Sequence, residues 1–159
     1  MYNRPVPRLQ IIYASTSGHT EYVVERLRDF LKTQKVECAL LKAERAKPED
    51  LLQGDVLVLA SGTWNTGGIE GQLNPHMHDF VHGRAARVDL AKRRVAIIAL
   101  GDDRYFYTGR AGEHLRHFVQ THGGSVIEPA LTIINEPYGQ EKKVEEWGKA
   151  LLASLPPRA

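Results

Sequence analysis

The sequence predicts an α/β fold, a doubly wound parallel sheet with helices on both faces. Three observations predict it. Short apolar runs alternate with longer amphipathic stretches, the runs are apolar at nearly every position, and several stop abruptly at glycine and small polar residues. Strands buried on both faces read as continuous apolar runs, and strands alternating with helices build a parallel sheet.

The elements follow in order. Leu9–Ala14 reads as a buried strand. From Thr20 to Leu31 the positions Val23, Val24, Leu27, Phe30 and Leu31 recur at helical spacing, with Glu21, Glu25, Arg26 and Arg28 largely on the other side. Val36–Leu41 makes a second strand, and Pro48-Glu49-Asp50 begins a short helix. Val56–Ala60 is the third strand. Trp64–Gly71 holds several glycines and reads as a loop, and Leu73–His82 as a helix. Val95–Leu100 is the fourth strand. A helix from about Arg110 to His122 closes on Gly123-Gly124. Val126-Ile127 and Leu131–Ile134 supply a fifth, edge-like strand interrupted by Pro129, and Gln140–Leu155 an amphipathic helix carrying Val144, Trp147, Leu151 and Leu152.

With 159 residues, 42% hydrophobic and 25% charged, the chain is expected to form one domain over 1–159, with 1–8 a flexible N-terminal extension. Its only cysteine, Cys38, excludes an internal disulfide and a multi-thiolate zinc site, and is expected to be a packed thiol in a reducing compartment. No apolar run is long enough for a membrane span and no signal-peptide core opens the sequence, so the expected location is the cytoplasm. Lysine plus arginine number 21 against 19 aspartate plus glutamate, and this excess of +2 is too small to indicate nucleic-acid binding.

Ligands of such sheets bind beyond the carboxyl ends of the strands, so the loops after strands one, three and four are the places to look. The first, Ser15-Thr16-Ser17-Gly18-His19-Thr20, leads into a helix whose first amides lack intrahelical partners and carry a partial positive charge. It reads as an anion site, with simple helix capping the plainer alternative. The second, Ser61-Gly62-Thr63-Trp64-Asn65-Thr66-Gly67-Gly68, places a tryptophan in a glycine-rich stretch, where it either offers its face to a flat partner or folds back into the core. The third, Gly101-Asp102-Asp103-Arg104-Tyr105-Phe106-Tyr107-Thr108-Gly109, brings further aromatics. An anion site beside two aromatic walls suits a phosphorylated planar heterocycle.

These loops resemble the flavodoxin family, and the similarity runs from Leu9 onward without the fifth-strand insertion of long-chain members, which indicates the short-chain type. The family's phosphate loop, Thr/Ser-x-Thr/Ser-Gly-x-Thr, is matched by residues Ser15 to Thr20. Its second loop, Ser/Thr-x-Thr-Trp, is matched by Ser61-Gly62-Thr63-Trp64, and its third, Gly-Asp-x-x-Tyr-x-Tyr, by Gly101 to Tyr107. The resemblance implies a five-stranded sheet in the order 2-1-3-4-5 and flavin mononucleotide (FMN) as cofactor. It assigns Ser15, Thr16, Ser17, Gly18, His19 and Thr20 to the phosphate. Ser61, Gly62, Thr63, Trp64, Asn65, Thr66 and Gly67 would form one wall, with Trp64 stacked on the ring. Leu100, Gly101, Asp102, Arg104, Tyr105, Tyr107 and Gly109 would form the other, with Tyr105 on the opposite face and Asp102 at the pyrimidine edge. It further implies a low-potential one-electron carrier, cycling mainly between semiquinone and hydroquinone, that takes electrons from a reductase and hands them to an electron-accepting enzyme. The carrier is expected to be monomeric, with no metal and no catalytic residues of its own.

Two departures stand out. Flavodoxins are usually acidic, whereas His19, Arg104 and Arg110 lie in or beside these loops, only partly offset by Asp102, Asp103 and Glu70, which predicts a less negative semiquinone/hydroquinone potential. Asn65 follows the tryptophan where many members carry glycine, and Asn65→Gly is expected to make the neutral semiquinone more abundant. The alternative reading is a small stand-alone flavin-dependent reductase acting on its own substrate, against which stand the lack of a second domain and of a Gly-x-Gly-x-x-Gly loop. A receiver domain needs acidic residues where Ser15 and Ser61 stand, and a P-loop nucleotidase needs a motif the chain lacks. His76, His78 and His82, like His114 and His117, read as solvated rather than metal-binding, and Arg84, Arg87, Lys92, Arg93 and Arg94 as a solvated basic connector or a dock for an acidic partner.

Overall fold

The protein's computed structural model describes residues 7–104 and 108–155. Among these the chain forms β1 (Leu9–Ala14), α1 (His19–Thr33), β2 (Cys38–Lys42), β3 (Val56–Thr66), β4 (Ile69–Leu73), α2 (Pro75–Asp79), β5 (Arg94–Gly101), α3 (Ala111–Thr121), β6 (Ser125–Ile134) and α4 (Glu141–Ser154). Short 3-10 turns at Ala43–Arg45 and Pro48–Leu52 link β2 to β3. The main sheet runs β2-β1-β3-β5-β6 with every neighbouring pair parallel, which is the predicted order once β4 is set aside.

β4 is the addition. The stretch expected to be a loop is a hairpin in which Gly67 and Gly68, at φ 64° and 80°, make a two-residue turn that pairs Thr66 with Ile69. Positive φ at both turn residues matches the right-handed twist of the flanking strands, and a Gly-Gly pair between strand-like runs is its sequence signature. The helix expected over Leu73–His82 begins only at Pro75. Asn74 caps it by accepting from the His76 amide (2.9 Å), and after Asp79 it widens into a π turn over Phe80–Arg84. β6 continues through Pro129, absorbing it by a register shift against β5 between Ala96 and Ile98. Proline is tolerated there because β6 is an edge strand.

Alternation along the buried strands divides the core into two layers. Ile12, Leu57, Leu59 and Ile97 pack against Met77, Phe80, Leu115 and Val119 of the α2–α3 side. Ile11, Val58, Ala96 and Ile98 pack against Val23, Leu27, Leu31, Val144 and Leu151 of the α1–α4 side. Each Val, Leu, Ile, Phe or Met side chain taken fully out of water contributes about 1.5–3 kcal/mol. Gly148 permits the close crossing of α4 over α1, since a Cβ there would lie 2.9 Å from Leu27 Cδ1. Cys38 is the packed thiol expected, and burial pushes its pKa up to about 12.

Candidate functional site

The carboxyl ends of β1, β3 and β5 open into a cleft of about 850 Å³. Ser17, His19 and Thr20 line it from the first loop, Gly62, Thr63, Trp64 and Asn65 from the second, and Leu100, Gly101, Asp102 and Arg104 from the third. The three segments therefore converge. Ser15, Thr16, Gly18, Ser61, Thr66, Gly67 and Gly109 flank these residues in the three segments without lining the cleft, and Tyr105 and Tyr107 fall outside the described residues.

The first loop reverses at Gly18, which takes φ 93° and, as the N-cap of α1, has no side chain of its own to cap it. Ser15 Oγ accepts from the Glu21 amide (3.2 Å), and Thr16 Oγ1 accepts from Asn74 Nδ2 (2.9 Å). Thr20 is buried, at 4% exposure. The capping alternative thus holds for Ser15 alone. Among the described residues, the amides of Ser17, Gly18, His19 and Thr20 have no protein partner. Unpartnered amides at a helix N-terminus favour an anion. Each hydroxyl that accepts a hydrogen bond still keeps its own proton to donate.

The second loop is the outer half of β3. Thr63 Oγ1 donates to the Leu100 carbonyl (2.8 Å) and accepts from the Ala111 amide (3.1 Å), so its hydroxyl is spent on joining β3, β5 and α3. The Trp64 indole lies beside Gly62, where a Cβ would come within 2.9 Å of Nε1. Trp64 is half-buried and belongs to neither core cluster, which decides against its folding back inside. Asn65 sits where the β3–β4 register shifts, between Trp64 and Thr66, and is absent from the residues with positive φ. A bulge, rather than a left-handed turn, presents its peptide to the cleft.

In the third loop, Arg104 Nε donates to both carboxylate oxygens of Asp102 (2.9 and 3.0 Å), and these bonds hold the Asp102 pKa at about 2. Gly101 is required because Thr108 Oγ1 and the Gly109 amide fold back onto its Cα. Asn135, at φ 68°, clasps this loop from the end of β6: its Oδ1 accepts from the Asp103 amide (3.1 Å) and its Nδ2 donates to Asp103 Oδ2 (3.0 Å). Arg110 pairs with Glu113 at 3.4 Å. The His19 ring meets Tyr138 edge-on at 5.7 Å.

The charges behave differently from the sequence reading. Glu70, Asp102, Asp103 and Glu136 line the cleft together with Arg104 and His19, so its described walls are acidic although the chain carries +2. The arginines expected to raise the potential each face a carboxylate. Lining residues that sequence reasoning missed include Gly71, Thr108, Asn135 and Glu136. The Gly-Gly turn signalled the hairpin carrying Gly71; nothing local signalled Asn135. Behind the hairpin, His114 Nε2 donates to the Gly71 carbonyl (2.7 Å). His78 and His82 meet at a tilt with ring centroids 4.5 Å apart, and no metal-binding group occurs among the described residues. The basic stretch is neither wholly solvated nor wholly free, since Arg84 donates to the carbonyls of Ala43 (2.6 Å) and Ala46 (3.3 Å), and Arg93 to those of Leu51 (3.1 Å), Gln53 and Gly54 (2.7 Å).

The donor set fits FMN. Open amides and hydroxyls suit its phosphate, a tryptophan at the wall suits its ring, and the buried Thr108 Oγ1, without a hydrogen-bond partner among the described residues, suits a polar ligand edge. Comparison with known proteins agrees with this geometry. The flavodoxin family pattern matches residues 11–147. A flavodoxin of Maridesulfovibrio salexigens is 25% identical over 144 residues, covering 89% of this chain and 94% of that one. A protein named probable flavodoxin 2 of Bacillus subtilis is 22% identical over 137 residues, covering 86% and 87%. The crystal structure of oxidised flavodoxin 2 from Bacillus cereus superposes with a TM-score of 0.83 at 27% identity, covering 93% of this chain and 99% of that one. A family pattern spanning nearly all of the sheet, on a cleft built for a phosphate and a flat ring, leads to one conclusion: this chain belongs to the flavodoxin family and is an FMN-binding electron-transfer protein.

Proposed function

We propose that this flavodoxin is a low-potential one-electron carrier, monomeric and cytoplasmic, which receives electrons from a reductase and delivers them to an electron-accepting enzyme. The observation that carries the reading is the convergence of Ser17, Trp64 and Asp102 on one cleft at the carboxyl end of the sheet. Bound FMN supplies a ring that takes up and releases electrons one at a time. The chain's residues do the rest. The amides at the start of α1 would hold the phosphate and the Trp64 indole would lie against the ring. The carboxylates of Glu70, Asp102 and Glu136 oppose added negative charge, which keeps the more negative of the two potentials low.

The test is spectroscopic. Purified protein is expected to be yellow, to release FMN on denaturation, and to show two separate one-electron steps on photoreduction. An apoprotein that takes up no FMN overturns the reading. Rapid two-electron turnover with a nicotinamide, with no separated first step, replaces the carrier by the stand-alone reductase.

A further inference from the structure

Asn74 is fully buried, at 0% exposure, and every one of its polar groups is engaged. Its amide donates to Ser61 Oγ (3.0 Å) and to the Gly62 carbonyl (3.2 Å), its carbonyl accepts from the His78 amide (2.8 Å), and its Oδ1 accepts from the His76 amide (2.9 Å). These contacts build the start of α2 and tie it to β3. Serine or aspartate would cap as well as asparagine. The remaining contact is the one that demands an amide: Nδ2 donates to Thr16 Oγ1 at 2.9 Å, 58 residues away in the first loop.

A hydroxyl carries one proton and two lone pairs. With a lone pair occupied by Asn74, the Thr16 proton is left to donate, and it has no acceptor among the described residues. Thr16 stands between Ser15 and Ser17, in the loop whose following amides are open. A phosphate dianion offers only acceptors, so it binds a hydroxyl that donates. Were the side chain at 74 a carboxylate, the Thr16 proton would turn to it instead. We propose that Asn74 is a positioning residue that commits the Thr16 hydroxyl to donating toward the flavin phosphate, and so sets the preference for FMN over unphosphorylated riboflavin. This rests on the FMN-binding reading above.

Apoprotein of wild type, Asn74→Asp, Asn74→Ser, Thr16→Ala and the Thr16→Ala, Asn74→Ser double variant is titrated with FMN and with riboflavin by fluorescence quenching, after circular dichroism has verified folding. Asn74→Asp is expected to weaken FMN about ten- to a hundredfold, the worth of one hydrogen bond to a charged acceptor, and to leave riboflavin within about twofold. Asn74→Ser, which keeps the cap and adds no charge, is expected to weaken FMN alone and to add nothing in the Thr16→Ala background. Equal weakening of both flavins, no weakening of either, persistence of the effect without Thr16, or unfolding of both single variants at position 74 would each reduce Asn74 to a structural part and overturn the proposal. Failure of wild type to bind FMN is a separate outcome that removes the underlying reading first.

Discussion

The two ends of the sheet treat polar groups in opposite ways. At the amino ends of β1, β3 and β5 polar groups are tied to one another: the Arg93 guanidinium donates to the carbonyls of Leu51, Gln53 and Gly54, and the Arg8 amide donates to Asp55 Oδ2 (2.8 Å). At the carboxyl ends, the amides of residues 17–20 and the Thr108 hydroxyl have no partner among the described residues. A folded chain leaves few polar groups unsatisfied, so a cluster of them marks where a ligand completes the structure. Charge in the sequence is a poorer guide. The most basic run tethers backbone, while a weakly basic chain builds an acidic cleft.

Four variants break or sharpen this contrast, from the largest effect to the smallest. Gly101→Ala puts a Cβ into Thr108 Oγ1 and the Gly109 amide, and the overpacking costs up to about 3 kcal/mol. FMN titration is expected to show a loss of around a hundredfold, and an unchanged affinity would mean that the third loop does not lean on Gly101. Arg93→Ala, at the other end, leaves three carbonyls without their donor and is expected to lower folding stability by about 1.5–3 kcal/mol. Its FMN affinity should stay within about twofold. Chemical denaturation alongside FMN titration checks both halves, and a loss of affinity without a loss of stability would erase the distinction between the ends.

The double variant Arg104→Ala, Arg110→Ala leaves Asp102 and Glu113 without their arginines. A unit charge about 10 Å from the ring, at an effective dielectric between about 20 and 80, shifts a one-electron potential by tens of millivolts. The lower potential is therefore expected to become more negative by that order in a redox titration, and an unmoved potential would sink the charge argument. The smallest effect concerns His82. Its pKa is lowered by burial and by the neighbouring His78, His114 and His117. The unfolded chain then takes up this proton first, so stability is fully present above the unfolded value of about 6.5 and is lost as pH falls through the lower folded value. Thermal melts between about pH 7.5 and 5 should show that loss flattened in His82→Gln; identical slopes would dismiss the histidine neighbourhood as a source of acid sensitivity.

Much of this was legible in the sequence because it is written locally. The strand at Leu9–Ala14 was bounded to the residue, and the helices at Thr20–Leu31, Arg110–His122 and Gln140–Leu155 were found within two residues of their ends. Continuous apolar runs and helical spacing depend only on neighbours along the chain. The β3–β4 hairpin is equally local, but the glycines of 64–71 mark a loop and a two-residue turn between strands alike, and only the pairing of Thr66 with Ile69 separates the two. The shortened α2 was announced by Asn74-Pro75, a cap followed by a first-turn proline.

By itself the sequence determined the layered α/β architecture and the three turns beyond the strand ends, since both follow from residue type and short spacing, and the motifs in those turns carried the resemblance to the family. Tertiary structure alone decided which groups those turns leave free. Thr16 meets Asn74 across 58 positions, Thr63 meets Ala111 across 48, and Asp103 meets Asn135 across 32. Hydrogen bonds and ion pairs act over a few ångströms whatever the chain separation, so whether a hydroxyl or an arginine is spent or available is settled only once the sheet has brought distant segments together.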